Sequence, residues 1–72
     1  MTNDSNTITG QLEFENRTFS YEVSNGISGK IFKGCLDLYI KDDKGNNAAV
    51  MLNPDESVEH KVKDVARLQK WL

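Results

Sequence analysis

The 72-residue chain has one cysteine, one proline and no long apolar run. Because an internal disulfide needs two cysteines, Cys35 has no partner within the chain, and a disulfide-stapled fold is excluded. No stretch approaches the roughly 18 apolar residues that a membrane-spanning helix needs. The polar start of the sequence lacks the basic and apolar regions of a signal peptide. We therefore expect a cytoplasmic protein without a membrane segment.

The chain also has no large excess of charge of one sign. Nine Lys and Arg residues against eleven Asp and Glu residues give a net charge of −2. A general nucleic-acid binder needs a basic surface to neutralise phosphates, so nucleic acid is not the expected direct ligand. Phosphate-binding loop and dinucleotide-turn sequences are missing as well, since the glycines of residues 26–30 lead into a predicted strand. These absences favour a protein partner.

The length and composition indicate a single small domain over residues 1–72, with residues 1–6 as a flexible tail. A domain of this size buries only about 60% of its unfolded surface and is modestly stable. The hydrophobic content of 38% and charged fraction of 28% are ordinary for a globular domain, so wholesale disorder is not expected.

Apolar residues alternate with polar ones over most of the chain, as they do in half-buried strands. Turn-forming residues separate the alternating segments, including a tight turn at Asn16-Arg17. The predicted strands span residues 7–15, 18–24, 30–41 and 48–52. One face of the resulting sheet carries the apolar residues Ile8, Leu12, Phe14, Phe19, Tyr21, Val23, Phe32, Leu36, Leu38, Ile40, Val50 and Leu52.

The C-terminal segment has the clearest helix pattern. Asn53 is a suitable N-cap, Pro54 fits the first helical position, and Glu56 lies where it closes a capping box. The helix is predicted to continue to the C-terminus. Its apolar stripe consists of Val58, Val62, Val65 and Leu72, with Ala66 and Leu68 at the margins. The predicted fold class is α+β: a four-stranded antiparallel meander with one C-terminal helix packed on one face (ββββα) and the other face open to water.

Two surfaces are candidates for binding. His60, Asp64, Arg67 and Trp71 follow at helical spacings of four, three and four, so they line the outer face of the predicted helix. Trp and Arg are the residues that dominate binding hot spots. The alternative is that Trp71 folds back against the edge of the sheet and the charges form an ordinary solvated helix face.

The second candidate is an acidic hairpin face formed by Glu13, Glu15 and Glu22, with Asp42 and Asp43 at a nearby turn. Such a patch would dock on a basic protein surface. The alternative is a solvated sheet face with cross-strand ion pairs.

No catalytic or metal site is expected. Glu56, His60 and Asp64 stand one turn apart, but three ligands on one helix leave most of a coordination sphere to water. Cys35 would need a base beside it to act as a nucleophile, and the only histidine is predicted on the helix, over the opposite face of the sheet. The sequence therefore predicts a protein that is not an enzyme and that binds no cofactor.

In small size, weakly acidic charge and α+β composition, the chain resembles the small inhibitors and accessory factors encoded by bacteriophages and mobile elements. This resemblance implies a non-enzymatic protein–protein interaction factor, such as an anti-CRISPR or other anti-defence inhibitor, that binds a larger bacterial complex. The alternative is a nucleic-acid-associated module that uses the basic and aromatic residues of the helix, namely Lys63, Arg67, Lys70 and Trp71. Both a monomer and a homodimer remain open.

Overall fold

The computed structural model describes residues 7–72, without the side chains of residues 27 and 28. It confirms the predicted α+β fold: four antiparallel strands form one sheet in the order β1-β2-β3-β4, with a C-terminal helix. The predicted tail at residues 1–6 lies outside the described residues. The elements are β1 (Ile8–Phe14), β2 (Arg17–Ser24), α1 (Ile27–Ile31), β3 (Leu36–Asp42), β4 (Asn47–Leu52) and α2 (Val58–Leu68).

The turn between β1 and β2 lies one residue earlier than predicted. Glu15 and Asn16 form it with φ angles of 54° and 62°, both in the left-handed region that a two-residue hairpin requires. Arg17 is instead the first residue of β2 and pairs with Phe14. The register places Leu12 opposite Phe19, whereas a turn at Asn16-Arg17 would place Leu12 opposite Tyr21. Both registers keep the apolar residues of the two strands on one face, so the alternation alone did not decide between the two turns.

The first half of the predicted third strand is wrong. Residues 27–31 form the short helix α1, and a turn follows in which the Cys35 N–H donates to the Phe32 carbonyl at 3.0 Å. Gly34 has a φ angle of +86°, which extended backbone does not adopt. As a result Phe32, which was predicted in the core, is 54% exposed. Its neighbour Ile31 is exposed as well.

One face of the sheet carries the core. Leu12 lies opposite Phe19, and Leu38 lies opposite Val50, so apolar side chains from neighbouring strands line the same face. Ile8, at the start of edge strand β1, belongs to this face by register but remains exposed. The buried cluster consists of Phe19, Val23, Leu38, Ile40, Leu52, Val62, Val65 and Ala66.

Helix α2 begins four residues later than its predicted first position. Its N-cap is Ser57, whose side chain accepts a hydrogen bond from the His60 N–H at 3.3 Å. Asn53 and Glu56 do contact each other, since the Asn53 N–H donates to Glu56 Oε1 at 2.9 Å and the Glu56 N–H donates to the Asn53 carbonyl at 3.0 Å. These two residues therefore close a turn ahead of the helix, and the prediction that Asn53 caps the helix is wrong.

The helix also ends before the C-terminus. Lys70 has a φ angle of 59° and donates its N–H to the Arg67 carbonyl, while the Trp71 N–H donates to the Ala66 carbonyl. This is the Schellman pattern of a helix end, with a lysine where glycine is more common. The predicted stripe is therefore shorter: Ala66 is fully buried, whereas Leu68 and Leu72 are exposed.

Helix α2 reaches across the sheet. It follows β4 directly, yet the Lys63 Nζ and the Arg67 Cζ lie 5.3 and 5.1 Å from the centroid of the Phe14 ring in β1. Edge strands β1 and β4 are thus linked by one helix on the same face. The opposite face of the sheet is not the one that α2 covers, and it carries the candidate site.

Candidate functional site

The face of the sheet opposite α2 is an open surface centred on Tyr39. Side chains alternate between the two faces of a strand, so the register assigns this surface. Tyr39 lies opposite Glu22 on one side and Ala49 on the other, and it is 46% exposed. The open face consists of Thr9, Gln11, Glu13, Thr18, Ser20, Glu22, Ser24, Asp37, Tyr39, Lys41, Asn47, Ala49 and Met51.

Two shallow depressions meet on this face. One, of about 490 Å³, extends over β1 and β2 towards Gln11, and the other, of about 460 Å³, extends over β4 towards Met51. Tyr39 and Glu22 line both of them. A partner that filled the two depressions would therefore contact Tyr39 from both sides.

The predicted acidic hairpin face is not a compact patch. Glu13 and Glu22 do lie on the open face, but Glu13 pairs with Thr18, and Glu22 is four residues further along β2. That separation is about 13 Å at the usual rise of a strand. Glu15 occupies the turn rather than a strand. The structure thus does not bring the three carboxylates together.

Asp42 and Asp43, which were predicted to lie at a turn near this patch, are bound by Arg17. The Arg17 Nη2 donates to Asp42 Oδ2 at 2.6 Å, and its Nε donates to Asp43 Oδ1 at 2.8 Å. Its Nη1 donates to the carbonyl oxygen of Trp71. The single positive charge of the guanidinium offsets one of the two negative charges, and both carboxylates are engaged within the chain.

The titration of this cluster reflects the same contacts. Burial raises the pKa of Asp42, but hydrogen bonds from the Asn46 side chain and from the backbone N–H groups of Lys44 and Asn46, together with the charge of Arg17, outweigh it and hold the pKa below its usual value. A hydrogen bond from Arg17 lowers the pKa of Asp43. The bond to Asp43 in turn raises the pKa of Arg17. All three groups are therefore kept charged by their neighbours.

The predicted helix surface is only partly assembled. His60 Nε2 and Arg67 Nη1 each lie 3.4 Å from a carboxylate oxygen of Asp64, so these three residues do form a cluster on α2. Arg67 also lies over the Phe14 ring. Trp71 follows the helix end and is half-buried against the core.

The basic residues proposed for nucleic-acid contact are largely engaged within the chain. Arg67 is paired with Asp64, and Lys63 lies over Phe14. Lys61 pairs with Glu56 at 3.3 Å. Lys70 forms the left-handed residue of the helix end. Asp64 thus offsets the charge of Arg67, whereas the Phe14 ring does not cancel the charge of Lys63.

The side chains considered above for metal binding or nucleophilic attack have other contacts in residues 7–72. No group of three His, Cys, Asp or Glu side chains in this range is placed to hold a metal ion. The Glu56 carboxylate is turned to the Asn53 N–H, which is the main cause of its lowered pKa, and to Lys61. Cys35 is buried ahead of β3, where its Sγ donates to Asn53 Oδ1 at 3.5 Å, rather than lying on the open face. Neither helix of the described chain has the length and apolar content to span a membrane.

Tyr39 was the one aromatic that the alternation placed on the open face, but no sequence signal marked it as the centre of a surface. That position depends on the registers of β3 with both neighbours, which the sequence pattern alone does not determine.

No known protein family, curated protein or solved structure matches this chain.

Proposed function

We propose that this protein is a non-enzymatic protein-binding factor and that the open face of the sheet, centred on Tyr39, is its contact surface. The observation that supports this most is the half-exposed Tyr39 ring at the meeting point of two depressions. A tyrosine presents a large apolar ring and a polar hydroxyl together, which suits it to a site that is exposed to solvent before binding and desolvated afterwards.

The surroundings of Tyr39 favour the same role. Ala49 opposite it and Ser24 in the neighbouring depression are small, so a partner side chain can approach the ring closely. Binding energy is usually concentrated in a few central aromatic or arginine residues that become desolvated within a ring of weaker contacts. Tyr39 has this central position on the open face, and Glu22 and Lys41 lie on the same face as polar neighbours.

The other candidate surfaces have less support. On the helix, Asp64 already binds His60 and Arg67, and Trp71 packs against the core. A nucleic-acid role loses its main argument for the same reason, because Arg67 and Lys63 have contacts within the chain. A partner at these positions would have to replace contacts that exist already.

We further propose that the protein acts as an inhibitor, by covering a functional surface of a larger bacterial complex. The support for this is its resemblance in size and composition to the inhibitors of phages and mobile elements, together with an open sheet face that is large relative to the domain.

The test is capture of a partner from nuclease-treated bacterial lysate, followed by titration of the purified partner. We expect Tyr39→Ala to weaken binding at least about tenfold, which corresponds to about 1.4 kcal/mol. His60→Ala is the matched control, since His60 is an exposed residue on the other side of the molecule. Both variants should keep the melting temperature of the wild type, because neither side chain is buried.

Two outcomes would contradict the proposal. If His60→Ala or Arg67→Ala abolishes binding and Tyr39→Ala does not, the helix is the contact surface. If nuclease removes the captured material and binding falls steeply with salt, the ligand is a nucleic acid, because phosphate contacts release counterions.

A further inference from the structure

Strand β4 forms one edge of the described sheet and lacks the residues that usually guard such an edge. It is the last strand in the described sheet, and its residues Asn47–Leu52 include no charged side chain and no proline. Proteins usually guard such edges with lysine, proline, a bulge or a covering segment, because an open edge invites pairing with another strand. The other edge, β1, carries Glu13 at an exposed position. The two edges therefore differ in their protection.

The hydrogen-bond pattern shows which peptide groups of β4 face outward. The Asp42 N–H donates to the Asn46 carbonyl at 2.9 Å, so these residues form a hydrogen-bonded pair at the end of the β3–β4 ladder. In an antiparallel ladder such pairs alternate with pairs that are not hydrogen-bonded. The peptide groups of Asn47, Ala49 and Met51 must consequently point away from β3, along the free edge.

We propose that this edge binds a second copy of the chain, with the two β4 strands antiparallel and the two Ala49 residues facing each other on a twofold axis. In this register Asn47 lies opposite Met51 of the second copy. Every outward peptide group of β4 then gains a partner, and the two sheets become one sheet of eight strands. The contact is self-complementary, as a twofold interface requires.

The side chains fit this pairing. Ala49 opposite Ala49 brings no bulk or charge to the axis, and Asn47 beside Met51 brings no like charges together. On the covered face, Ala48 lies opposite Val50 of the second copy, and both are partly buried apolar residues that the pairing would cover further. Cross-strand neighbours of this kind stabilise a sheet, whereas like charges directly opposite destabilise it.

The dimer would bring two open faces to the same side of one sheet. Across the axis the strand order is β3, β4, then β4 and β3 of the second copy. Each Tyr39 lies level with an Ala49, so the two Tyr39 residues are three strand spacings, or about 14 Å, apart. A dimer with two Tyr39 surfaces goes beyond the proposed binding by one Tyr39 surface. The pairing of the two β4 strands does not depend on that proposed function.

Sedimentation velocity of the full chain across a wide concentration range tests the proposal. One strand pair buries less than a standard interface, so the dimer is expected to be weak and to appear only at the upper end of the range. Amide hydrogen exchange followed by NMR identifies which residues form the dimer contact. The amides of Asn47, Ala49 and Met51 should become protected as concentration rises, while the outward amide of Gln11 in β1 should not.

Ala49→Lys should raise the dissociation constant of the dimer at least about tenfold, because it places two ammonium groups on the axis. Gln11→Lys is the matched control, since Gln11 is the exposed central residue of the other edge. A dimer that survives Ala49→Lys but not Gln11→Lys would overturn the proposal, as would a monomer at every concentration. The exchange data use the wild type and remain decisive if a variant fails to fold.

Discussion

Arg17 and Asp42 form an ion pair on the helix-covered side of the sheet. Their closest atoms are 2.6 Å apart, and the two side chains are 11% and 0% exposed. The same guanidinium also binds Asp43 and the carbonyl oxygen of Trp71. One arginine at the start of β2 therefore holds the β3–β4 turn and the end of α2 against the first hairpin.

The first prediction concerns this pair. Asp42→Ala should lower the melting temperature by at least about 5 °C, because it leaves Arg17 without its buried partner and frees the N–H groups of Lys44 and Asn46. Thermal denaturation followed by circular dichroism measures the change. Asp43→Ala should have a clearly smaller effect, since the Asp43 side chain is 43% exposed. An equal fall in melting temperature in both variants would mean that the Arg17–Asp42 pair is not the more important contact.

The second prediction is the response to acid. The pKa values of Asp42, Asp43 and Glu56 are lower in the folded protein than their ordinary values of 3.8, 3.8 and 4.5. The unfolded chain then binds more protons in acid, so these groups contribute stability above those ordinary values that is lost as the pH falls through the lower folded pKa values. Urea midpoints between neutral pH and about pH 2 should fall accordingly.

Asp42→Asn is the control for the acid response. It removes one of the three shifted carboxyl groups while keeping the shape of the side chain. The acid-induced fall of the urea midpoint should be smaller in this variant, although Asp43 and Glu56 still contribute to it. An identical fall in both proteins would show that Asp42 has no role in the pH dependence.

The third prediction concerns the first hairpin. Glu15 has a φ angle of 54°, which asparagine and glycine tolerate better than glutamate. Glu15→Asn should therefore stabilise the protein by about 0.5 to 1 kcal/mol. Chemical denaturation provides the measurement. Glu13→Asn, in the neighbouring strand, should give no stabilisation because its backbone is extended and asparagine is a poor strand residue.

The fourth prediction reverses an expectation from the sequence. The helix pattern places Leu68 at the margin of the buried stripe, for which replacement by alanine would cost about 2 to 4 kcal/mol. In the structure Leu68 is 79% exposed, so Leu68→Ala should change the free energy of unfolding by less than about 0.5 kcal/mol. Val62 is fully buried, and Val62→Ala should cost about 2 kcal/mol. Urea titration of the two variants distinguishes a helix with Leu68 at its buried margin from one with Leu68 exposed to solvent.

The strands were predictable from sequence because alternation with a period of two has a direct structural cause. A half-buried strand must turn every second side chain to the core, and β1, β2 and β4 follow this rule closely. The segment before β3 failed because Phe32 continues the alternation, whereas Gly34 requires a backbone that is not extended. The alternation predicted a strand through Gly34, but the positive φ angle of Gly34 interrupts extended backbone, and β3 begins only at Leu36.

The ends of α2 were misplaced because good capping sequences lie close together. Asn53 and Glu56 do make the contact expected of a capping box, but in a turn, while Ser57 caps the helix. The C-terminal end depends on Lys70 in a left-handed conformation, which its residue type does not suggest. The four-residue helix surface depended on that end, so Trp71 could not be placed from sequence alone.

The fifth prediction concerns a glycine that a ring covers. Gly10 lies opposite Tyr21, and a Cβ atom at Gly10 would come within 2.5 Å of the Tyr21 Cζ. Although alanine is normally the better strand residue, Gly10→Ala should destabilise the protein by about 1 kcal/mol, because the ring must swing off the strand and lose its packing.

A double-mutant cycle tests this assignment. With Tyr21→Ala in place, the obstruction is gone, so adding Gly10→Ala should stabilise the protein by about 0.5 kcal/mol instead of destabilising it. Free energies of unfolding for the four proteins supply the coupling energy. A Gly10→Ala effect of the same sign and size in both backgrounds would show that the Tyr21 ring does not rest on Gly10 in solution.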